Sequence, residues 1–284
     1  MQVRPINIIA YLLLLVFAVM PLVLGLGYAL LYSFGLAGAL QSGFTLSNWQ
    51  KLFAESEVLS SFAYSAALAI TSIIISVSMA LFVTVKYPAM FGKGLFNYII
   101  YLPLAFPAMV AAFFFFQFLS KAGILARLFY QLHIISSINQ FPDLVNDRWG
   151  IAIIVTQVFL SCPFFILLLG NLYVTERVTD YILLSESLGA THKQSVQKIA
   201  IPMLLHKCFP TMILYFIFMF GAYEVPVLLG RSNPEMVSVL AVRKLQRFNL
   251  LDIPQGYAIA ILYTLVVFVL IVFMLKKKSL VHHV

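Results

Sequence analysis

The sequence predicts an all-α membrane protein with six transmembrane helices, and three observations support this fold class. Hydrophobic residues make up 62% of the 284 residues and charged residues only 10%, whereas soluble domains average roughly 45–50% and about 25%. Six apolar runs are each long enough to cross the hydrocarbon core, which takes about 20 residues. Together these runs contain one basic residue, Lys207, and one acidic residue, Glu224. A water-soluble enzyme is therefore excluded.

The six runs define the predicted spans and exclude a barrel, because the strands of a membrane barrel need only about 10 residues. Arg4 and the stretch Ala37-Gly38-Ala39 around the first run resemble a signal peptide. The apolar stretch is far longer than the roughly 7–15 residues of a signal core, so we expect an uncleaved first span. Without an evident linker or internal repeat, residues 1–284 are expected to form a single transmembrane domain. The predicted spans are approximately 8–34, 58–85, 94–119, 149–174, 203–229 and 256–275.

Basic residues beside the spans predict that both termini are cytoplasmic. The cluster Lys276-Lys277-Lys278 directly follows the last span, and the short connection between the second and third spans carries Lys86 and Lys93. Positively charged loops next to spans stay on the cytoplasmic side. An even number of spans then puts the amino terminus on that side too.

Two outer connections are predicted to contain short helices. Apolar residues recur at helical spacing from Ile124 to Leu132, which indicates an interfacial helix. Asn233-Pro234-Glu235 has the pattern of an N-cap, a first-turn proline and a first-turn acid. The helix that it would start carries basic residues, for which a solvated face at the lipid headgroups and docking of a partner are both open interpretations. These residues are Arg243, Lys244 and Arg247.

The long cytoplasmic connection between the fourth and fifth spans, residues 175–202, predicts a helix–turn–helix. Thr179 or Asp180 can cap its first helix, and Gly189 can end that helix in the left-handed conformation. The stretch from Thr191 to Gln194 is a capping box for a second helix, which we expect to end at Pro202. We call this helix–turn–helix, residues 175–202, the knob. Apolar side chains that face outward from it would fit a groove in a partner protein. They are Leu183, Leu184 and Leu188.

This connection resembles the cytoplasmic loop of permease subunits of binding-protein-dependent ABC importers, whose pattern is E-A-A-x-x-x-G-x9-I-x-L-P. Gly189, Ile199 and Pro202 have that spacing, Ile201 stands where the pattern has leucine, and an alanine and a threonine follow the glycine. The front of the pattern differs, because Leu183-Leu184-Ser185 replaces Glu-Ala-Ala and an acid appears later. The family's coupling loop would accordingly comprise Leu183, Leu184, Ser185, Glu186, Leu188, Gly189, Ala190, Thr191, Ile199, Ile201 and Pro202.

Further stretches resemble the same family, so the resemblance covers nearly the whole chain. Residues 44–53 and 102–125 are similar to its conserved segments, and residues 226–230 with 254–258 are most similar to the branch that imports polyamines, ferric iron and oxyanions. The resemblance implies a type I importer permease fold in the bacterial inner membrane, with a coupling helix in the loop. It also implies three partners: a second permease subunit, identical or paralogous, an external solute-binding protein, and a cytoplasmic ATPase dimer.

The resemblance and the absence of a phosphate-cradling motif agree that this chain is a transport subunit and no enzyme. The pattern G-x-x-x-x-G-K-[ST] does not occur, so ATP and Mg²⁺ are expected on the partner ATPase and no cofactor on this chain. The five histidines lack metal-site spacing, and no metal is expected. Alternative functions are a polytopic membrane enzyme, which would need clustered polar residues at one face, or a self-sufficient secondary transporter, which would need more intramembrane charge.

Glu224 and its neighbours Tyr223 and Pro226 are the candidate residues for the solute pathway. An ionisable residue deep in a span is rare and functional by default. The alternative is that the helix ends at this point, because Pro226 disfavours helical backbone at the residue before it. Glu224 would then lie at the outer interface, in water. A buried carboxylate at this position would favour a cationic solute.

Overall fold

The computed structural model describes residues 13–38, 43–88 and 95–281, with side chains omitted for 95–98 and 277–281. Every regular element in these ranges is helical. We number the α-helices α1 to α13 in chain order; a π-helical turn, Leu15–Val19, precedes α1 and another, Val196–Ala200, follows α9. The α-helices are Met20–Ser33, Ser47–Ala54, Ser56–Lys86, Leu95–Leu104, Ala108–Leu119, Ile124–Gln131, Ile151–Thr175, Val178–Ser187, His192–Ser195, Ile201–Phe220, Glu224–Leu229, Val237–Leu245 and Ile253–Val281.

Six segments of the described chain are long and apolar enough to cross a membrane, in agreement with the predicted number. Each overlaps one predicted span, and their mean hydropathy ranges from 1.6 to 3.0. The predicted beginnings of the first and third spans, residues 8–12 and Gly94, lie outside the described residues. The six segments are Leu15–Ser33, Ser56–Lys86, Ala108–Gln131, Ile151–Thr175, His192–Phe220 and Ile253–Lys276.

Two predicted spans differ from the helices that form. The run 94–119 is divided into α4 and α5, because Pro107 has no N–H to donate and disfavours helical backbone at Phe106. The run 203–229 is interrupted as well, since α10 ends at Phe220 and the separate short helix α11 begins at Glu224. Hydropathy alone did not reveal either interruption, since apolar residues continue through both.

The chain divides into two compact units, each with its own packing. One comprises residues 1–60 and 237–273, and the other residues 61–236 and 274–284. In the larger unit, α3 and α7 pack through hydroxyl and amide groups. The Ser72 hydroxyl donates to Gln157 Oε1 at 2.8 Å, and the hydroxyls of Ser76 and Ser161 lie 2.7 Å apart. Small residues let two helices approach closely within a membrane, and polar ones bond across the contact.

Replacing Ser76 by leucine is expected to separate α3 from α7. Ser76 is fully buried, so a larger side chain must displace the facing helix, and overpacking of this kind typically costs about 1–3 kcal/mol. The yield of monodisperse detergent-solubilised protein after heating measures the effect. The matched control is Thr71→Leu, at an exposed position of the same helix. An unchanged yield for Ser76→Leu would contradict this account of the contact.

In the smaller unit, ion pairs attach α12 to the start of α3, and a hydrogen bond attaches it to the start of α13. Lys244 Nζ lies 2.5 Å from Glu55 Oε2 and 2.5 Å from Gln255 Oε1, and only 3% of the lysine is exposed. Arg243 Nη2 donates to Glu57 Oε1 at 2.5 Å. Neither predicted role for these basic residues, a solvated face or partner docking, fits a lysine buried among its own chain's acceptors. The helix also begins at Val237, so Asn233 is not its N-cap.

Candidate coupling segment and pathway residues

The connection 175–202 forms the predicted helix–turn–helix, with a different start. Its first helix, α8, begins after Arg177, which adopts the left-handed conformation with φ of 51°. No side chain caps this end, and Thr179 and Asp180 lie inside the helix. Their expected capping role is therefore wrong. The reversal at Arg177 turns the chain sharply after α7, so the backbone is already helical by Val178.

The turn after α8 is a Schellman motif centred on Gly189. Gly189 has φ of +93°, its N–H donates to the carbonyl of Glu186 at 2.9 Å, and the Ala190 N–H donates to the carbonyl of Ser185 at 3.1 Å. These two bonds satisfy carbonyls that the end of a helix would leave unpaired. A Cβ at Gly189 would meet nothing within 4 Å. The requirement for glycine is therefore a requirement of the backbone conformation, as predicted.

The second helix starts with the predicted capping box. The Gln194 N–H donates to Thr191 Oγ1 at 3.4 Å, and the Thr191 N–H donates to Gln194 Oε1 at 3.0 Å. This helix does not end at Pro202, which is a correction to the prediction. The π-helical turn Val196–Ala200 carries the chain directly into α10, so Pro202 stands in the first turn of that helix. Proline has no N–H to donate, and the π-helical turn directly before it is the local change in bonding pattern that accommodates it.

Two side-chain bonds join the two helices of the knob across the turn. The Ser185 hydroxyl donates to Ser195 Oγ at 2.6 Å, and His192 Nδ1 lies 2.8 Å from Glu186 Oε1. Sequence reasoning missed both bonds. The detectable signal was a serine and an acid just before the turn, followed by a histidine and a serine just after it. Ser185 stands where the family's pattern has alanine, and Glu186 is the displaced acid, so both features of this chain's own loop have a local structural role.

The knob is attached to the membrane helices on one side and exposes leucines on the other. Val178 is fully buried and Ile182 nearly so, and Lys207 of α10 pairs with Glu176 at 2.9 Å. The outward side chains are exposed as predicted, with exposed fractions of 59% for Leu183, 59% for Leu184 and 82% for Leu188. Of the remaining residues in the pattern, Ala190, Ile199 and Ile201 are half-buried and Pro202 is exposed. The leucines therefore form an apolar surface on a braced support.

The candidate pathway residues lie together at the start of α11, beyond the end of the fifth span. Tyr223 and Glu224 are exposed, whereas Pro226 is buried. The Pro226 carbonyl accepts a bond from the Gly230 N–H at 2.8 Å, which closes this six-residue helix. Within the described ranges, the structure brings no three His, Cys, Asp or Glu residues together as a metal site.

Comparison with known proteins identifies the family. Residues 86–277 match the family described as "Binding-protein-dependent transport system inner membrane component". A solved bacterial ABC transporter involved in the import of the acidic polysaccharide alginate is similar at 16% identity and a TM-score of 0.68, covering 95% of this chain and 92% of that chain. The bacterial alginate ABC transporter in complex with an alginate pentasaccharide-bound periplasmic protein is similar at 16% identity and a TM-score of 0.66, covering 95% and 91%.

At this identity the two solved structures establish the shared fold, and the family match carries the assignment. No curated protein sequence matches the chain significantly. The matched region includes the connection 175–202 and the last four of the six spans. This multi-pass inner membrane protein belongs to the family of binding-protein-dependent transport system inner membrane components, and it is the permease subunit of such an ABC importer.

Proposed function

We propose that this chain forms half of a solute pathway and that its knob, residues 175–202, couples the pathway to a separate cytoplasmic ATPase. The observation that carries the proposal is the apolar surface of Leu183, Leu184 and Leu188 on a turn held by Gly189. An exposed apolar patch on a rigid support is typical of a protein–protein contact. Because the knob continues through the π-helical turn into α10, force on it reaches a membrane span directly.

The proposed assembly has three kinds of component around this chain. ATP and Mg²⁺ bind to a partner ATPase dimer, since this chain lacks a phosphate-cradling motif. A second permease subunit, identical or paralogous, completes the pathway, and an external binding protein delivers the solute. Movement of the ATPases would rock the permease helices as largely rigid bodies between two states of access. A membrane enzyme or a self-sufficient secondary transporter needs neither the knob nor its exposed leucines.

We place Tyr223 and Glu224 on the pathway side of α11, because both are exposed after the fifth span ends. Pro226 supports them by closing the helix from its buried side. The solute is polar in this proposal, and the similarity to the branch that imports polyamines, iron and oxyanions stays a prediction. Import of alginate is a property of the similar solved transporters.

The proposed function is tested by measuring the ATPase activity that co-purifies with the full chain. We expect the purified chain alone to hydrolyse no ATP, whereas the chain isolated gently from its native membranes brings an ATPase with it. Replacing Leu184 and Leu188 by serine should reduce that accompanying activity by roughly 100-fold or more, since each buried leucine contributes about 1.5–3 kcal/mol to a contact.

The matched control replaces two exposed leucines elsewhere, Leu250 and Leu251, by serine. That variant should keep the accompanying ATPase activity. Hydrolysis by a preparation shown to contain no other subunit would refute the division of labour. Equal losses in the two serine variants would refute the specific role of the knob.

The proposed orientation places both termini and the knob in the cytoplasm. Cysteines introduced at Lys193 and Lys277 should therefore resist a membrane-impermeant thiol reagent in intact cells, whereas a cysteine at Ser232 should react. Lys193 and Ser232 are both exposed, so accessibility within the protein does not separate them. The native Cys162 and Cys208 are buried and add little background. The opposite labelling pattern would invert the orientation.

A further inference from the structure

A groove of about 410 Å³ lies between the end of α3 and the second half of the knob, residues 193–201. Both walls belong to the larger unit. The α3 wall consists of Leu81, Phe82 and Val85, with Ser78 at one end and Lys86 at the other. Lys86 is the last residue of this span, and eight residues of helix separate it from Ser78, which is about 12 Å.

The second wall repeats this arrangement in the opposite chain direction. Lys193 lies within the capping box, in the first turn of α9, and Val196, Gln197 and Ile201 follow it toward the fifth span. Since α3 ends at its lysine and this segment begins near its own, both cations stand at the same end of the groove. The groove is therefore basic where the spans end and mainly apolar toward the membrane interior.

In the described part of the chain, no acid pairs with either ammonium group. Among the side chains that the structure describes, no carboxylate oxygen lies within 4.0 Å of Lys86 Nζ or Lys193 Nζ. Lys86 Nζ instead lies 5.1 Å from the centre of the Phe82 ring and 5.5 Å from that of Tyr87. Such contacts hold a cation in place and leave its charge available to an anion.

We propose that this groove binds an anionic phospholipid of the surrounding bilayer, with the phosphate between Lys86 and Lys193 and an acyl chain along the apolar walls. The groove opens at the level where spans end and headgroups lie, and basic pockets between membrane helices recognise anionic headgroups. A free phosphate would leave the apolar walls uncovered. A second copy of this chain is a poor match for two lysines, because its net charge is +8.

Lipid binding at this site would affect transport, because one wall belongs to a membrane span and the other to the knob. One wall is the end of the second span, and the other is the second half of the knob, which continues into the fifth span. A lipid held between them would stabilise one separation of these two elements. The content of anionic lipid in the membrane would then influence how the knob moves relative to the spans.

Native mass spectrometry of the full chain tests lipid binding without depending on transport or on any partner. The protein is equilibrated in detergent with equal amounts of phosphatidylglycerol and phosphatidylcholine, and the lipids that remain bound are counted. We expect a preference for phosphatidylglycerol that falls by roughly tenfold or more in the double variant Lys86→Gln/Lys193→Gln. Size-exclusion chromatography confirms that each variant is folded.

Two further variants separate a built site from general surface charge. Val85→Trp keeps both lysines but fills the apolar part of the groove, so it should lower retention of phosphatidylglycerol as well. Lys51→Gln/Lys198→Gln removes two charges outside the groove and should change nothing. An unchanged preference in the groove variants would overturn the proposal, as would an equal loss in the control. Neither outcome would affect the proposed coupling function, which is measured by ATPase association.

Discussion

Valine in place of Gly189 is expected to reduce solute uptake to a small fraction of the wild-type rate while the protein remains in the membrane at near-normal abundance. Gly189 has φ of +93°, a conformation that costs a residue with a Cβ on the order of 1–2 kcal/mol. A Cβ there contacts nothing within 4 Å, so the strain acts on the turn alone. The turn would relax by moving Leu188, the most exposed of the three leucines at 82%.

The measurement combines solute uptake with co-purification of the ATPase. Gly43 provides a matched control, because it also has positive φ, +77°, and a Cβ there would also contact nothing within 4 Å. Gly43→Val imposes similar backbone strain outside the knob, so it should keep both uptake and ATPase association. Normal uptake by Gly189→Val would mean that residues 175–202 are only a connector. Failure of Gly43→Val by the same amount would attribute the loss to backbone strain in general.

Methionine in place of Lys244 is expected to destabilise the smaller unit by about 1–3 kcal/mol. The change removes the donor that Glu55 and Gln255 share, at a position where only 3% of the lysine is exposed. Breaking one side of a fully buried ion pair costs more, about 3–5 kcal/mol. We expect less here because the Glu55 side chain is 37% exposed and regains water. Thermal unfolding of the detergent-solubilised full chain measures the change.

The control for Lys244 is an ion pair with a more exposed cation on the same segment. Arg247 Nη1 and Asp252 Oδ2 are 3.1 Å apart, and the arginine side chain is 44% exposed. Arg247→Met should therefore change stability by less than about 1 kcal/mol. The double variant Glu55→Gln/Lys244→Met should lose less than the two single variants together, because their effects share one interaction. Strict additivity would show that Lys244 and Glu55 stabilise the fold independently.

The sequence predicted the knob well wherever the determinants were local. Gly189 ends its helix and Thr191 starts the next one because each arrangement needs only a few neighbouring backbone groups. The first helix was predicted less well, because the left-handed residue that starts it is Arg177, for which no residue preference gives a signal. The prediction at Pro202 was wrong because proline usually interrupts an α-helix. Here the π-helical turn directly before Pro202 accommodates it, and the helix continues.

The basic residues in the connection between the fifth and sixth spans show a second limit of sequence reasoning. Arg243 and Lys244 appear in the sequence as surface charges beside a membrane, and the acids that bind them, Glu57 and Glu55, are more than 180 residues away. Charge and spacing along the chain say nothing about such pairs. The same holds for the Ser72–Gln157 contact, whose polar residues lie within otherwise apolar runs.

By itself, the sequence determined that six helices cross the membrane. It also determined that a helix–turn–helix connects the fourth span to the fifth, and that the family's loop pattern lies in this connection. These properties depend on hydropathy summed over about 20 residues and on capping within one turn, both of which are local. Only the tertiary structure decided which basic residues are neutralised and that Lys86 and Lys193 share one groove. Those properties depend on groups far apart in the chain, which come together only when the helices pack.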